Sequence, residues 1–175
     1  MMFRLSLCGI ALAAAALVLG PAHAADVSAE KLIEALKPKA PPDGTRTRSL
    51  RNLRVEQVNE PPPSVSLTIQ FDFDSSKVSA SSVAQLEELA RAMKSSELQA
   101  LSFRVEGHTD AKGNPDYNLR LSRQRAEAVK SQLVQMGVGG ERLQSEGHGD
   151  RDLANKADRF AAENRRVRVV TLAHN

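Results

Sequence analysis

Residues 101–136 read LSFRVEGHTDAKGNPDYNLRLSRQRAEAVKSQLVQM, and this stretch decides the fold. Leu101, Phe103 and Val105 alternate with polar residues, which predicts a strand that ends at Gly107. A polar loop follows. The helix predicted over Asn118–Met136 carries one continuous stripe with steps of three and four residues, formed by Leu119, Ser122, Ala126, Val129, Leu133 and Met136. A strand, a loop and an amphipathic helix therefore follow one another directly.

The flanking sequence supplies a second helix and three more strands. Alternating apolar residues predict a strand over Val65–Phe73, and helical spacing predicts a helix over Ser79–Lys94. Weaker patterns predict strands over Leu143–Gly147 and Arg165–Leu172. The order β-α-β-α-β-β predicts an α+β fold, a two-layer sandwich of one mixed sheet with the helices on one face.

The first 24 residues have the features of a secretory signal. Arg4 precedes an apolar run over Leu5–Leu19, and an Ala-x-Ala site ends at Ala24. The run is short for a membrane span, and an uncleaved anchor helix is the alternative interpretation. Cys8, the one cysteine of the chain, follows Leu7, which is not a small residue, and most of the apolar run comes after it, so lipidation is not expected. The expected mature protein is periplasmic, with no transmembrane span.

Residues 25–63 are predicted to form one short helix and a linker. The helix covers Ser28–Lys37, with Ser28 as its cap and Pro38 as its end. Six of the eight prolines lie between Pro38 and Pro63, around a basic stretch. This composition is typical of a solvated tether that is dispensable for ligand binding, with adhesion to an anionic polymer or lipid headgroups as the alternative. The folded domain is then expected to cover residues 64–175.

The composition excludes several functions. A net charge of +3 is too balanced for a protein that binds nucleic acid through bulk charge. Aromatic residues make up 3% of the chain, and none is Trp, which argues against an aromatic platform for bases or sugars.

An enzyme is one alternative function. His108, Asp110 and His148 could form a metal or acid-base site, but the chain has no H-E-x-x-H or G-x-S-x-G motif. The expected mature chain also has no cysteine nucleophile. We therefore expect no catalytic residues, no metal and no cofactor.

The loop Gly107–Gly113 carries polar groups at the end of a strand, where they can meet a ligand. Asp110 lies in this loop, and Arg125 lies at the flank of the helix stripe. A carboxylate pairs with an ammonium, and a guanidinium holds a carboxylate through two hydrogen bonds. Asp110 and Arg125 could thus clamp a ligand that has both groups on one carbon, or form an intramolecular salt bridge with each other.

Four fragments occur in order on the predicted elements: FDFD at 71–74, GHTD at 107–110 with Gly113, NLxLSxxRA at 118–126, and NRRV at 164–167. Together they resemble the OmpA-like C-terminal domain family, which includes OmpA, the peptidoglycan-associated lipoprotein and the stator protein MotB. The resemblance covers roughly residues 64–172 and leaves out the proline-rich, basic segment.

The resemblance implies noncovalent binding of peptidoglycan through the diaminopimelate residue of its stem peptide. In this family the loop aspartate and the helix arginine hold the ligand, which implies these roles for Asp110 and Arg125. Other implied pocket positions are Phe73, Asp74, Arg165, Arg166, Asn118 and Leu121. One of the two adjacent arginines is expected to face the pocket, and for Asn118 the favoured role is the helix cap.

The predicted function is therefore that of a periplasmic domain, associated with the outer membrane, that tethers or scaffolds the cell envelope. The alternative is an envelope assembly subunit that acts mainly through protein–protein contacts, with residues 25–63 as the partner site. Retention on cell wall through Asp110 and Arg125 would distinguish the two.

Overall fold

The computed structural model describes residues 27–39, 61–71 and 75–172. These residues contain three α-helices and one four-stranded sheet. The helices are α1 (Ala29–Leu36), α2 (Ala80–Met93) and α3 (Pro115–Gln135), and the strands are β1 (Ser64–Leu67), β2 (Ser102–His108), β3 (Leu143–Gly149) and β4 (Val167–Leu172). Short 3-10 turns occupy Gly140–Arg142 and Ala162–Asn164. The predicted signal sequence and residues 40–60 of the predicted linker lie outside the described residues.

The strand order in the sheet is β1-β4-β2-β3. Strand β4 runs antiparallel to both β1 and β2, whereas β3 runs parallel to β2. The parallel pair requires a crossover, which α3 provides. The predicted α+β sandwich with a mixed sheet is confirmed. The ends of β2 and β3 and the start of β4 consequently meet at one end of the sheet.

The hydrophobic core lies between the sheet and the helices. Phe103 and Val105 of β2 and Val167 and Val169 of β4 point into it, and all four are at most 1% exposed. Among the alternate residues of the same strands, Arg104 and Arg168 are charged and half-buried, and Glu106 is charged and buried. This period of two places the helices on one face of the sheet and a charged network on the other.

Helix α1 is part of this core. Leu32 and Leu36 are almost fully buried, and the backbone N–H of Ala29 donates to the Glu88 carboxylate of α2 (3.1 Å). The Thr171 hydroxyl donates to the Leu36 carbonyl at 2.7 Å, which fixes the end of α1 to β4. The side chain of Ser28 makes no capping hydrogen bond, although the helix starts at the next residue. Any shortened chain that lacks α1 would therefore lose two core leucines.

Two predicted boundaries were wrong. The Asn114 side chain caps α3 by accepting from the N–H groups of Asp116 (2.8 Å) and Tyr117 (3.2 Å), so Asn118 is not the cap. Strand β1 ends at Leu67, although the apolar alternation continues beyond it. The backbone of Gln70 bonds instead to Ser79 and Ser82 at the start of α2, which removes it from the sheet.

Two glycines let α3 lie directly against β2 and β3. A Cβ atom on Gly107 would overlap the Ser122 carbonyl, and one on Gly147 would overlap the backbone of Arg123. The Ser122 hydroxyl uses this proximity: it donates to the Leu119 carbonyl and accepts from the Gly149 N–H, both at 2.9 Å. Only residues without a side chain permit such close contact between helix and sheet.

Gly147→Ala is expected to lower the free energy of unfolding by about 1–3 kcal/mol, because the backbone of α3 must move to make room for the methyl group. Urea unfolding measures the effect. Gly140→Ala is the matched control, since its Cβ would meet only Val134 Cγ2 at 3.5 Å. Equal stability of the two variants would contradict the close contact between helix and sheet.

Candidate ligand-binding site

Asp110 lies in the loop that follows β2, at the end of the sheet where β3 also ends and β4 begins. Its Oδ1 accepts a hydrogen bond from the Lys112 N–H (3.1 Å), which closes a tight turn. Its Oδ2 forms an ion pair with Arg165 Nη1 at 2.8 Å. The Asp110 side chain is 14% exposed, so the carboxylate is held in a fixed position while part of it still faces solvent.

Asn118 fixes this loop to α3. Its side-chain amide donates to the carbonyls of Lys112 (3.1 Å) and Asp110 (3.4 Å), and the residue is 4% exposed. Asn118 is therefore a positioning residue beneath the loop and not the helix cap. The sequence signal for this role was an asparagine inside a helix, where asparagine is uncommon without a local hydrogen bond.

Arg125 is half-buried on α3 and lies against the segment that follows β1. Its guanidinium stacks over the Phe71 ring, with 4.8 Å between Cζ and the ring centroid. Its Nε donates to the Ser75 carbonyl at 3.4 Å. Asp110 and Arg125 thus flank the same helix and contact different neighbours, Arg165 in one case and Phe71 with Ser75 in the other.

A cleft of about 600 Å³ lies beside Arg125 on the outer side of α3. Tyr117, Leu121 and Gln124 line it from the helix, and Ser75 and Ser76 line it from the opposite segment. Leu121 is therefore a wall residue of this cleft, whose lining includes neither Asp110 nor Arg125. Phe73 and Asp74, the two other predicted residues near this segment, lie outside the described residues.

The two adjacent arginines point to different places. Arg165 contacts Asp110, whereas Arg166 is 9% exposed and donates to the Asp152 carbonyl at 3.2 Å. Burial lowers the pKa of Arg166, and the Asp152 carboxylate partly opposes that shift. Arg165 is consequently the one of the pair that meets the Asp110 loop.

A charged network that was not predicted from the sequence lies buried on the outer face of the sheet. Glu106 is 4% exposed and accepts from Arg104 Nε at 2.9 Å. The His108 ring is fully buried 3.8 Å from Glu106, and it stacks on His148 with 5.1 Å between ring centroids. The outward positions of β2 are thus filled by polar side chains, in which Arg104 pairs with Glu106 while both ring nitrogens of His108 have no hydrogen-bond partner among the described residues.

His108 and His148 do lie together, but they face Glu106, whereas Asp110 faces Arg165. In the described ranges, no three His, Cys, Asp or Glu side chains are placed to share a metal ion. Within the same ranges, no helix is long and apolar enough to cross a membrane.

The loop between β3 and β4 is rigidly built and contacts the Asp110 loop. The Asn164 side chain is completely buried and bonds to the backbone of Asn155 and Asp158. The Arg159 carbonyl accepts from the Ala111 N–H at 3.0 Å, which joins the two loops. No element or role was predicted for residues 150–163 of this loop, although asparagine and aspartate in this range are typical turn residues.

The fold and site define an α+β sandwich with a cluster of polar loops at one end of its sheet. The model of the OmpA family matches residues 70–168, which include Asp110, Arg125 and Arg165. The chain belongs to the OmpA family.

Two curated relatives are similar to this chain over about three fifths of its length. The outer membrane porin F of Pseudomonas aeruginosa is 44% identical over 106 residues, which cover 59% of this chain and 30% of the porin. The peptidoglycan-associated lipoprotein of the same organism is 35% identical over 104 residues, which cover 58% of this chain and 60% of the lipoprotein.

Solved structures show the same fold. The peptidoglycan-associated lipoprotein of Burkholderia pseudomallei is 32% identical, with a TM-score of 0.51 over 61% of this chain and 89% of that chain. The periplasmic domain of Helicobacter pylori MotB is 18% identical, with a TM-score of 0.57 over 66% of this chain and 79% of that chain.

The His108 network predicts loss of stability in acid. Burial lowers the pKa of His108 to about 4, and the positive charge of Arg166 adds to this shift. The unfolded chain binds this proton near pH 6.5 and the folded chain does not, so the free energy of unfolding should fall between about pH 6.5 and 4, by about 3 kcal/mol. The charged or titratable groups around His108 are Glu106, His148, Asp152, Arg166 and Arg168.

Urea unfolding at several pH values tests this prediction. His108→Gln, which cannot titrate, should have a flatter dependence of stability on pH in this range, whatever its stability at pH 7.5. Parallel curves for the two proteins would show that the ring of His108 does not resist protonation.

Proposed function

We propose that this domain binds peptidoglycan noncovalently, through the free amino-acid centre of diaminopimelate in the stem peptide. The proposal is supported chiefly by one observation: Asp110 is held part-exposed at the end of the sheet, in a family that includes peptidoglycan-associated lipoproteins. Both Asp110 and Arg125 lie within the region that matches the family.

Asp110 binds the ammonium group of the ligand. Its carboxylate is oriented by the Lys112 N–H and Arg165, and both bonds are in place without a ligand. Because Asn118 holds the loop from below, little conformational freedom is lost when the ammonium binds. The part of the carboxylate that remains exposed can accept a further charge-assisted hydrogen bond.

Arg125 binds the carboxylate of the same centre. It lies seven residues after Asn118, on the same face of α3 and about 10 Å along the helix axis. The flexible side chain of an arginine can cover much of this distance when it leaves the Phe71 ring. A planar guanidinium then binds the carboxylate through two hydrogen bonds, which a lysine could not reproduce.

Such binding would let the protein tether or scaffold the envelope from the periplasm. Porin F, which contains a similar segment, is by name an outer membrane protein. The domain of MotB that shares the fold is by name a periplasmic domain. A domain that holds the wall without cutting it needs no nucleophile and no metal. A role in envelope assembly through protein–protein contacts is the competing outcome of the experiment below.

Asp110→Asn and Arg125→Met are each expected to weaken binding about 10–150-fold, because each removes one charge-assisted hydrogen bond of about 1.5–3 kcal/mol. Both substitutions spare the fold: asparagine can still accept from Lys112, and methionine can still pack on Phe71. Co-sedimentation with purified sacculi that contain diaminopimelate measures the affinity.

Asp116→Ala and Arg123→Ala are the matched controls, since they remove the same charges from exposed positions of α3. Arg123 lies about 200° around the helix from Arg125. Sacculi with lysine in place of diaminopimelate lack the second carboxylate and should bind weakly. If all the proteins stay in the supernatant, the proposal is wrong and a protein partner becomes the leading candidate.

A further inference from the structure

Phe160 is the most exposed large apolar side chain among the described residues, at 64% exposure. It lies in the loop between β3 and β4, and residues before and after it in the chain contact the Asp110 loop. Before it, the Arg159 carbonyl accepts from the Ala111 N–H at 3.0 Å. After it, Arg165 forms the ion pair with Asp110 at 2.8 Å. Phe160 therefore lies beside the Asp110 loop with most of its side chain exposed to solvent.

The loop fixes the backbone of Phe160. The Phe160 N–H donates to the Asp158 carboxylate at 3.0 Å, and the Asp158 carbonyl accepts from the buried Asn164 side chain at 2.9 Å. The Asn155 side chain accepts from the N–H groups of Ala157 and Asp158. An exposed ring on a backbone fixed by such a network loses less entropy when it meets a partner than a ring on a mobile loop would.

The short distance between Phe160 and the Asp110 loop indicates that the partner of the ring is part of the same ligand that binds Asp110. One residue and one hydrogen bond separate Phe160 from Ala111, so its Cα lies within about 10 Å of the Asp110 loop. In peptidoglycan the stem peptide is attached to a sugar, and diaminopimelate is its third residue. The path from its free amino-acid centre to the sugar runs along diaminopimelate itself and the two preceding residues, and it spans about 11 Å or more when extended. A stem peptide held at Asp110 thus brings its own sugar within reach of Phe160.

We propose that Phe160 packs against the glycan strand and forms a second subsite for peptidoglycan, which rests on the proposed function of Asp110 and Arg125. The C–H face of a pyranose ring is flat and apolar, and it fits an aromatic ring that offers a large rigid area. The low aromatic content argues against a platform of several rings, but one ring at this position is sufficient for one sugar.

Two ligands separate this subsite from the stem-peptide site: the isolated tripeptide that ends in diaminopimelate, and the same tripeptide on its disaccharide. The parent protein should bind the disaccharide ligand about three- to tenfold more tightly in titration calorimetry. Phe160→Ala should abolish this difference and leave the affinity for the tripeptide unchanged. Phe160→Trp should retain the difference, and Phe160→Leu should lose it because leucine has no flat ring.

Val134→Ala is the matched control, since Val134 is an exposed apolar residue near the other end of α3. It should behave as the parent protein with both ligands, and all four variants should keep the parent's unfolding midpoint. The glycan subsite would be overturned if the parent bound both ligands with equal affinity, or if Phe160→Ala weakened the binding of both ligands equally. Binding of the tripeptide would in either case uphold the proposed function. Failure to bind either ligand would overturn both.

Discussion

The close contact between α3 and the parallel strands β2 and β3 is the constraint on which the rest of the structure depends. It exists because Gly107 and Gly147 have no side chains, so the backbone of the helix around Ser122 can lie on the sheet. The Ser122 hydroxyl then bonds to Gly149 across the interface. A helix held by its backbone has little freedom to slide or rotate, and every residue that it carries has a fixed position relative to the strand ends.

The candidate site follows from this constraint. Asn118 lies one turn before Ser122 and reaches the loop after β2, while Arg125 lies about one turn after it and reaches the segment after β1. The antiparallel strand β4 starts at the same end of the sheet and brings Arg165 to Asp110. Asp110 is thus oriented before any ligand arrives, which reduces the cost of binding, whereas Arg125 would have to leave the Phe71 ring to reach a ligand.

The two faces of the sheet have separate roles. The helix side is apolar and supplies the core, whereas the outer side carries a network in which the buried carboxylate of Glu106 is paired with Arg104 and lies near His108. A buried charge is costly unless it has such partners. This network contributes to stability at neutral pH and keeps both histidines away from Asp110. Within the GHTD fragment, His108 therefore belongs to the buried network, whereas Asp110 belongs to the candidate site.

The sequence alone predicted the order of the elements and most of the core stripe of α3, and it singled out Asp110 and Arg125 as candidate ligand-binding residues, because periodicity and motif spacing are local properties of the chain. It did not determine their partners. Only the tertiary structure decided that Arg165 pairs with Asp110, that Asn118 holds the loop and that α1 joins the core. These contacts join segments that are distant in the chain, and long-range pairing depends on how the sheet is ordered, which no local pattern records.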